Sequence, residues 1–284
     1  MTRPTTHRRT GTGHTWPIFN PSSWDDFLDT VDRARGSLGF EPLEECFFRG
    51  HADRTWQLLP TLFRYAKTAG LRPDQTVDLE GDLFWEFQAR AQELHNQALT
   101  DWDYLFYMRH HGVITRVLDW TEGLGVALYF ALEQYRKGTR EGKAVPCIWL
   151  LNPYVLNAHP SAWSARDLVS PRFLGYILKD DETYDYGELL DGNKFHWTMP
   201  VAIYPIQRSN RVRAQRGWFT IHGSAHRPLE VQAPDSVAQV LFPESAVDNA
   251  MRFFEQAGLN EYTVYADLDS LARELHRKNQ VTNH

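Results

Sequence analysis

The sequence predicts an α+β fold in a single domain, with N-terminal helices packed on a mainly antiparallel sheet. Three observations carry this expectation: amphipathic helical periodicity in the first half, three strand-like runs after residue 200, and no polar linker between two self-sufficient cores. With 284 residues, 42% of them apolar and 13% aromatic, the chain has a globular composition and can bury one large core.

Residues 1–20 are polar, basic and Thr-rich and read as a flexible tail, and 21–280 read as the domain. In SSWDDFLDTVDRA, Ser23 is a candidate N-cap followed by acidic residues, and Trp24, Phe27 and Val31 recur at helical spacing. ECFFRGH is short, apolar and bounded by charge, which suits a buried strand that delivers Arg49 and ends at Gly50. Between 78 and 99, Leu79, Leu83, Phe84, Phe87, Ala91, Leu94 and Ala98 mark an amphipathic helix, and a second helix through YLFYMRHH stops at Gly112. GLGVALYFALEQYRK reads as a mostly apolar helix and VPCIWLL as the strand after it. Residues 152–199, rich in Asp, Gly, Tyr and Pro, read as a long excursion or lid. VAIYPI, RGWFTIHG and VAQVLF are expected to form a late antiparallel sheet. ESAVDNAMRFFEQAG, with Val247, Met251 and Phe254 inward and Gly258 as its stop, and LDSLARELHRK complete the helices.

Several function classes lose support at this level. No stretch approaches the roughly 18 uninterrupted apolar residues of a membrane span, and the N-terminus has no apolar core for a secretion signal. Cys46 and Cys147 lie inside apolar runs and read as inert core thiols, which implies a reducing compartment and a cytoplasmic protein. A net charge of −6 argues against wide, nonspecific attraction to nucleic acid but permits a local basic pocket. Walker, GxGxxG, GxSxG and HExxH motifs are missing. No metal site is expected, because the neighbouring His110 and His111 at a helix end point to different faces.

Three clusters carry chemistry. Arg49 sits between Phe48 and Gly50, where its planar five-donor fork suits a phosphate or carboxylate and Gly50 leaves room for a ligand; alternatively it braces loops by pairing with an internal Asp such as Asp119. RHHGVITRVLDWT packs His110, His111, Thr115, Arg116, Asp119, Trp120 and Thr121 after a helix end, either as a satisfied network stapling a loop or as a binding surface. In IQRSNRVRAQRGWFTIHG, Arg211 and Arg213 share one strand face near Trp218 and His222, as an anion site or as a charged edge that prevents self-pairing.

These residues resemble the FRG domain family, named for a Phe-Arg-Gly triplet. FFRGHADRTWQLLPTLFR, ending at Arg64, resembles the family's opening block, HHGVITRVLDWTEGLGVALYFAL its central block, YPIQRSNRVRAQRGWFTIHG its third and AGLNEYTVYADLDSLARELH its closing one. Two positions depart from the family pattern. Arg109 stands where Gln is common and adds a cation to the pocket; Ile114 stands where Pro is common and relaxes a loop. A weaker likeness to ADP-ribosyltransferases implies NAD as substrate, with Arg49 holding a phosphate or ribose, Tyr129 against nicotinamide, and Gln215 near the position of the catalytic acid. Together these resemblances imply catalytic roles for Arg49, His110 and Gln215, and ligand contacts from Arg64, Thr115, Arg116, Asp119, Trp120, Tyr129, Arg211 and Phe219. They imply a nucleotide or dinucleotide ligand, a protein or nucleic-acid acceptor, and a setting in bacterial defence or a toxin. No Glu stands in RVRAQRGWF, so Glu133 or Glu122 would have to supply a carboxylate. The rival reading is a non-catalytic module that binds a nucleotide or nucleic-acid end through Arg49, Arg64 and Arg116.

Overall fold

Runs of β-branched and aromatic residues bounded by polar turns become strands, and the capped amphipathic runs become helices that cover them. The computed structural model describes residues 15–40, 44–94, 99–139, 144–159, 185–191, 197–203 and 213–279. In chain order the elements up to the sixth helix are β1 (Ile18–Phe19), α1 (Trp24–Ser37), β2 (Phe47–His51), α2 (Thr61–Ala69), α3 (Pro73–Ala91), α4 (Asp101–His110), β3 (Val117–Thr121), α5 (Leu124–Ala131) and α6 (Glu133–Arg136). There follow β4 (Cys147–Leu151), α7 (Pro153–Asn157), α8 (Tyr186–Leu190), β5 (Val201–Ile203), β6 (Gly217–Ile221) and β7 (Val237–Leu241), and then the helices Val247–Gln256, Glu261–Tyr265 and Leu268–Lys278.

The seven strands make one sheet in the order β1-β7-β4-β2-β3-β6-β5, antiparallel except where β1 runs parallel to β7. The fold is therefore α+β with a mainly antiparallel sheet. Two details of the sheet differ from the sequence expectation. Ile18 and Phe19, inside the stretch read as a tail, pair with Gln239 and Val240. The three late strands do not form one block: β5 and β6 lie together at one edge, and β7 inserts between β1 and β4. Strand order is set by long-range pairing, which local periodicity does not encode.

Alternation along the strands separates the core into layers. Phe48, Ile148 and Leu150 pack with Phe27 and Val31 of α1 and with Ala127 and Leu128 of α5. Farther along the same face, Val117, Phe219 and Ile221 meet Phe84 of α3, Leu105 of α4 and Tyr186 of α8. Phe47, Trp120, Trp149 and Trp218 fill the opposite face. Ser23 caps α1, its Oγ accepting from Asp26 N at 3.2 Å, and Gly112 turns the chain after α4 at φ +82°. The long helix expected through GLGVALYFALEQYRK breaks at Leu132 into α5 and α6. Of the stretch 152–199, α7 and α8 are packed elements, since Leu156, Tyr186 and Leu189 are fully buried; most of the remainder lies outside the described residues.

Gly50 has a different purpose from the one its sequence context implies. A Cβ there would lie 1.8 Å from Ala127 O and 2.7 Å from Ala131 N. The space beside Gly50 is occupied by the backbone of α5, which can press on β2 only where the side chain is missing.

Candidate functional site

The site forms where the sheet opens. β2 pairs with β4 at five positions but with β3 at one, Phe48 opposite Thr121, and the two strands part beyond that bridge. Arg49 and His51, two residues apart, share a face of β2. From there Arg49 reaches across to β3, and its Nη1 donates to Asp119 O at 2.6 Å. Its Nε donates to His51 Nε2 at 3.0 Å. Nη1 stands 3.7 Å from Asp119 Oδ2, and Nη2 makes no hydrogen bond to a described residue. Burial, opposed by Asp119 and reinforced by Arg109 and Arg64, lowers the Arg49 pKa to about 10, so the group is charged at neutral pH.

His51 fixes that guanidinium from behind. Burial, with Arg49 beside it, pushes its pKa down to about 3, so the ring is neutral. Its Nε2 accepts from Arg49, which leaves the proton on Nδ1 to be donated to Trp56 O at 3.2 Å.

Asp119 is held by a second arginine. At the C-terminal end of α4, Arg109 Nε donates to Asp119 Oδ1 at 3.1 Å and Oδ2 at 2.9 Å, and Nη2 adds a further bond to Oδ2. That carboxylate raises the Arg109 pKa. Arg64, on α2, is exposed and has no side-chain partner among the described residues; partial burial and the proximity of Arg109 lower its pKa. Among the described residues, Arg49 and Arg109 thus hold the Asp119 carboxylate between them, with Arg64 as a third, mutually repelling cation nearby.

Arg49, Arg109 and Asp119 line a cavity of ≈ 420 Å³, within the usual range for small-molecule sites. Its apolar walls include Phe106 and Phe219, stacked at 4.8 Å and 11°, and Trp56, which is 46% exposed. Glu133 and Gln215 also line it.

Residues 44–140 match the model of the FRG domain family. The chain carries an FRG domain. This segment supplies every charged group of the cluster, Arg49, Arg64, Arg109 and Asp119, together with Glu133; the wall formed by Gln215, Trp218 and Phe219 comes from beyond it. No curated protein and no solved structure matches the chain significantly, so the expected likeness to ADP-ribosyltransferases gains no structural relative.

Of the residues singled out from the sequence, Arg49, His110, Asp119, Trp120, Gln215 and Phe219 line the cavity. Trp120 Nε1 donates to Thr220 Oγ1 at 3.1 Å. Gln215 is engaged elsewhere: Nε2 donates to Val264 O at 3.1 Å, and its backbone oxygen accepts from Thr121 Oγ1 at 2.6 Å. Arg64 stands beside the guanidinium cluster without lining the cavity.

Three others are buried away from the cavity. Arg116, 1% exposed, donates through Nε to both Glu80 oxygens at 2.9 Å, and Tyr186 OH donates to the same carboxylate at 2.5 Å; the FRG segment is thereby tied to α8. Thr115 is fully buried beside Thr61. Tyr129 lies in the core with the Arg136 guanidinium 3.3 Å above its ring. None of the three lines the cavity. Arg211 lies outside the described residues. Burial pushes both cysteine thiols up to about 12, and they stay protonated.

His51, Trp56 and Phe106 were not singled out, although the two-residue spacing of Arg49 and His51 was a usable signal. Of the two alternative carboxylates, Glu133 lines the cavity and pairs with Lys137 at 2.7 Å; Glu122 accepts from Trp218 Nε1 at 2.7 Å and is not part of the lining.

Proposed function

We propose that the cavity binds a nucleotide or dinucleotide, with NAD the first candidate, and that the chain breaks the bond between ribose and nicotinamide. The observation that carries the binding step is an Arg49 Nη2 that no described residue occupies, on a side chain lining an aromatic cavity, inside a cluster of three guanidiniums and one carboxylate. Phosphate is the group that a guanidinium fork grips best, and Trp56 and Phe106 offer faces to a ring. The cleavage step assigns Glu133 the carboxylate beside the ribose, where positive charge develops as the C1′–N bond breaks. Nicotinamide leaves with the bonding pair, water adds to C1′, and one proton is released with ADP-ribose; a protein or nucleic-acid nucleophile in place of water makes the reaction a transfer.

The test is thermal shift with NAD, ADP-ribose and ATP, followed by assay of nicotinamide release. Wild type is expected to bind NAD and release nicotinamide, Arg49→Gln to lose binding, and Glu133→Gln to keep binding while losing release. No stabilisation by any of the three ligands sinks the nucleotide reading. Gln215, an amide committed to Val264 O, favours a second reading in which the cavity senses the nucleotide without turnover; NAD binding with no nicotinamide release at high protein concentration selects it.

A further inference from the structure

Among the described residues two arginines pair with the Asp119 carboxylate, and of these Arg109 makes the close hydrogen bonds to it. Arg109 bonds both carboxylate oxygens, whereas Arg49 bonds the backbone oxygen of the same residue and keeps its Nη1 3.7 Å from Oδ2. His51 accepts from Nε and holds the Arg49 guanidinium in that pose. The side chains of Arg49 and Arg109 are similarly enclosed, 18% and 17% exposed, so the division reflects geometry and not access to water. A bidentate clasp is the stronger of the two contacts.

We propose that Arg109 is a positioning residue for ligand binding: by clasping Asp119 it keeps that carboxylate off Arg49, so that the Arg49 guanidinium on the cavity wall is left for an anionic group of the ligand, with Arg64 adding its charge from beside the cluster. This deepens the reading of the cavity as a nucleotide site and rests on it. Among the described residues, three guanidiniums and one carboxylate leave two positive charges. That balance suits the pyrophosphate of a dinucleotide or a dianionic phosphate monoester; a lone carboxylate ligand leaves a cation uncompensated, and a triphosphate brings excess anion. Without Arg109, about 1 Å of travel brings Oδ2 into hydrogen-bond range of Arg49 Nη1. Asp119 would then occupy the place of the ligand's phosphate, and the cluster would keep one positive charge.

The experiment measures ADP-ribose affinity calorimetrically for wild type, Arg109→Gln, Asp119→Asn and the double variant, with Arg109→Lys as a folded control should the Gln variant aggregate. Arg109→Gln is expected to weaken binding by about tenfold or more. The double variant is expected to return to within about threefold of wild type, since no carboxylate remains to occupy Arg49. Arg109→Lys, which keeps the charge but cannot grip both oxygens, falls between. A double variant as weak as Arg109→Gln means that Arg109 touches the ligand itself and overturns the proposal, as does unchanged affinity in Arg109→Gln or Arg109→Lys. A ligand-free crystal structure of Arg109→Gln, or of Arg109→Lys if the Gln variant aggregates, decides the same point without any ligand. The Asp119 carboxylate within hydrogen-bond distance of Arg49 supports the role, and a carboxylate turned to solvent or still held at position 109 removes it. Failure of wild type to bind ADP-ribose counts against the nucleotide reading alone, because the crystal structure still tests the counterion.

Discussion

Glu230 is a carboxylate buried with no cation beside it among the described residues, and replacing it by Gln should make stability less dependent on pH. It is 3% exposed, and its Oε2 accepts from Leu58 N at 3.1 Å, in the loop that carries Trp56 to the cavity wall. Burial raises its pKa from 4.5 to about 7, opposed by backbone hydrogen bonds from its own N–H and that of Leu58. Between those values the unfolded chain releases a proton that the folded chain keeps, so folding stability falls as pH rises and levels off above pH 7. At 1.36 kcal/mol per unit, the loss between pH 5 and pH 8 is about 2.5 kcal/mol. Glu230→Gln keeps an acceptor for Leu58 N–H and cannot ionise. Its unfolding free energy in urea, minus that of wild type, should therefore rise by about 2.5 kcal/mol from pH 5 to pH 8, whatever constant offset the amide introduces. A difference that stays flat with pH would show that Glu230 is ionised in the folded protein at pH 5, and the reasoning would fail.

The buried histidines act in the opposite direction. His222 is fully buried, and burial together with Arg116 lowers its pKa to about 3, so the stability it contributes is complete above the unfolded value near 6.5 and is lost as pH falls. His222→Gln should accordingly flatten the loss of stability between pH 6.5 and pH 4 in urea titrations. Gly50→Ala sets a methyl against backbone atoms of α5 that cannot move aside, and should cost at least about 3 kcal/mol or prevent soluble folding, read as melting temperature. Arg116→Met strands the Glu80 carboxylate and should cost about 3–5 kcal/mol, while the Arg116→Met, Glu80→Met double variant should recover much of it.

What the sequence made legible was local. Ser23 before an apolar period fixed the start of α1, and the Phe-Phe-Arg-Gly run identified β2, because capping and alternation depend on neighbours a few residues apart. The two-residue strand β1 carries too little pattern to stand out beside a polar tail, and its pairing partner lies more than two hundred residues away. Arg116, just before β3, read as a ligand contact because its partner, Glu80, lies on α3 and nothing local announces a fully buried pair. Gly50 signalled a close approach correctly but not by what: the approaching group is the backbone of α5. Within the site, Arg49 and Asp119 were legible as a pair, but the arrangement that decides their chemistry was not. That arrangement needs α4 to bring Arg109 onto Asp119, and it needs His51 to be neutral, which follows only from burial.

The neutrality of His51 has a consequence that separates two ligand classes. With a pKa near 3 for His51 and near 10 for Arg49, neither group changes charge between pH 5 and pH 8. His110 is the histidine on the cavity wall, and a His110→Gln background removes it as a source of titration. Combined with Glu230→Gln, which removes the carboxyl that titrates near 7 under the Trp56 loop, that background leaves the pH dependence of affinity across the window to the ligand. A pyrophosphate diester such as ADP-ribose's central linkage keeps both charges throughout, whereas a phosphate monoester gains its second charge with a pKa of about 6. ADP-ribose should therefore bind with nearly constant affinity from pH 5 to pH 8, and AMP should weaken several-fold towards pH 5. Equal pH profiles for the two would mean that the cluster itself titrates, and the assignment of a fixed double positive charge to Arg49, Arg64, Arg109 and Asp119 would have to be given up.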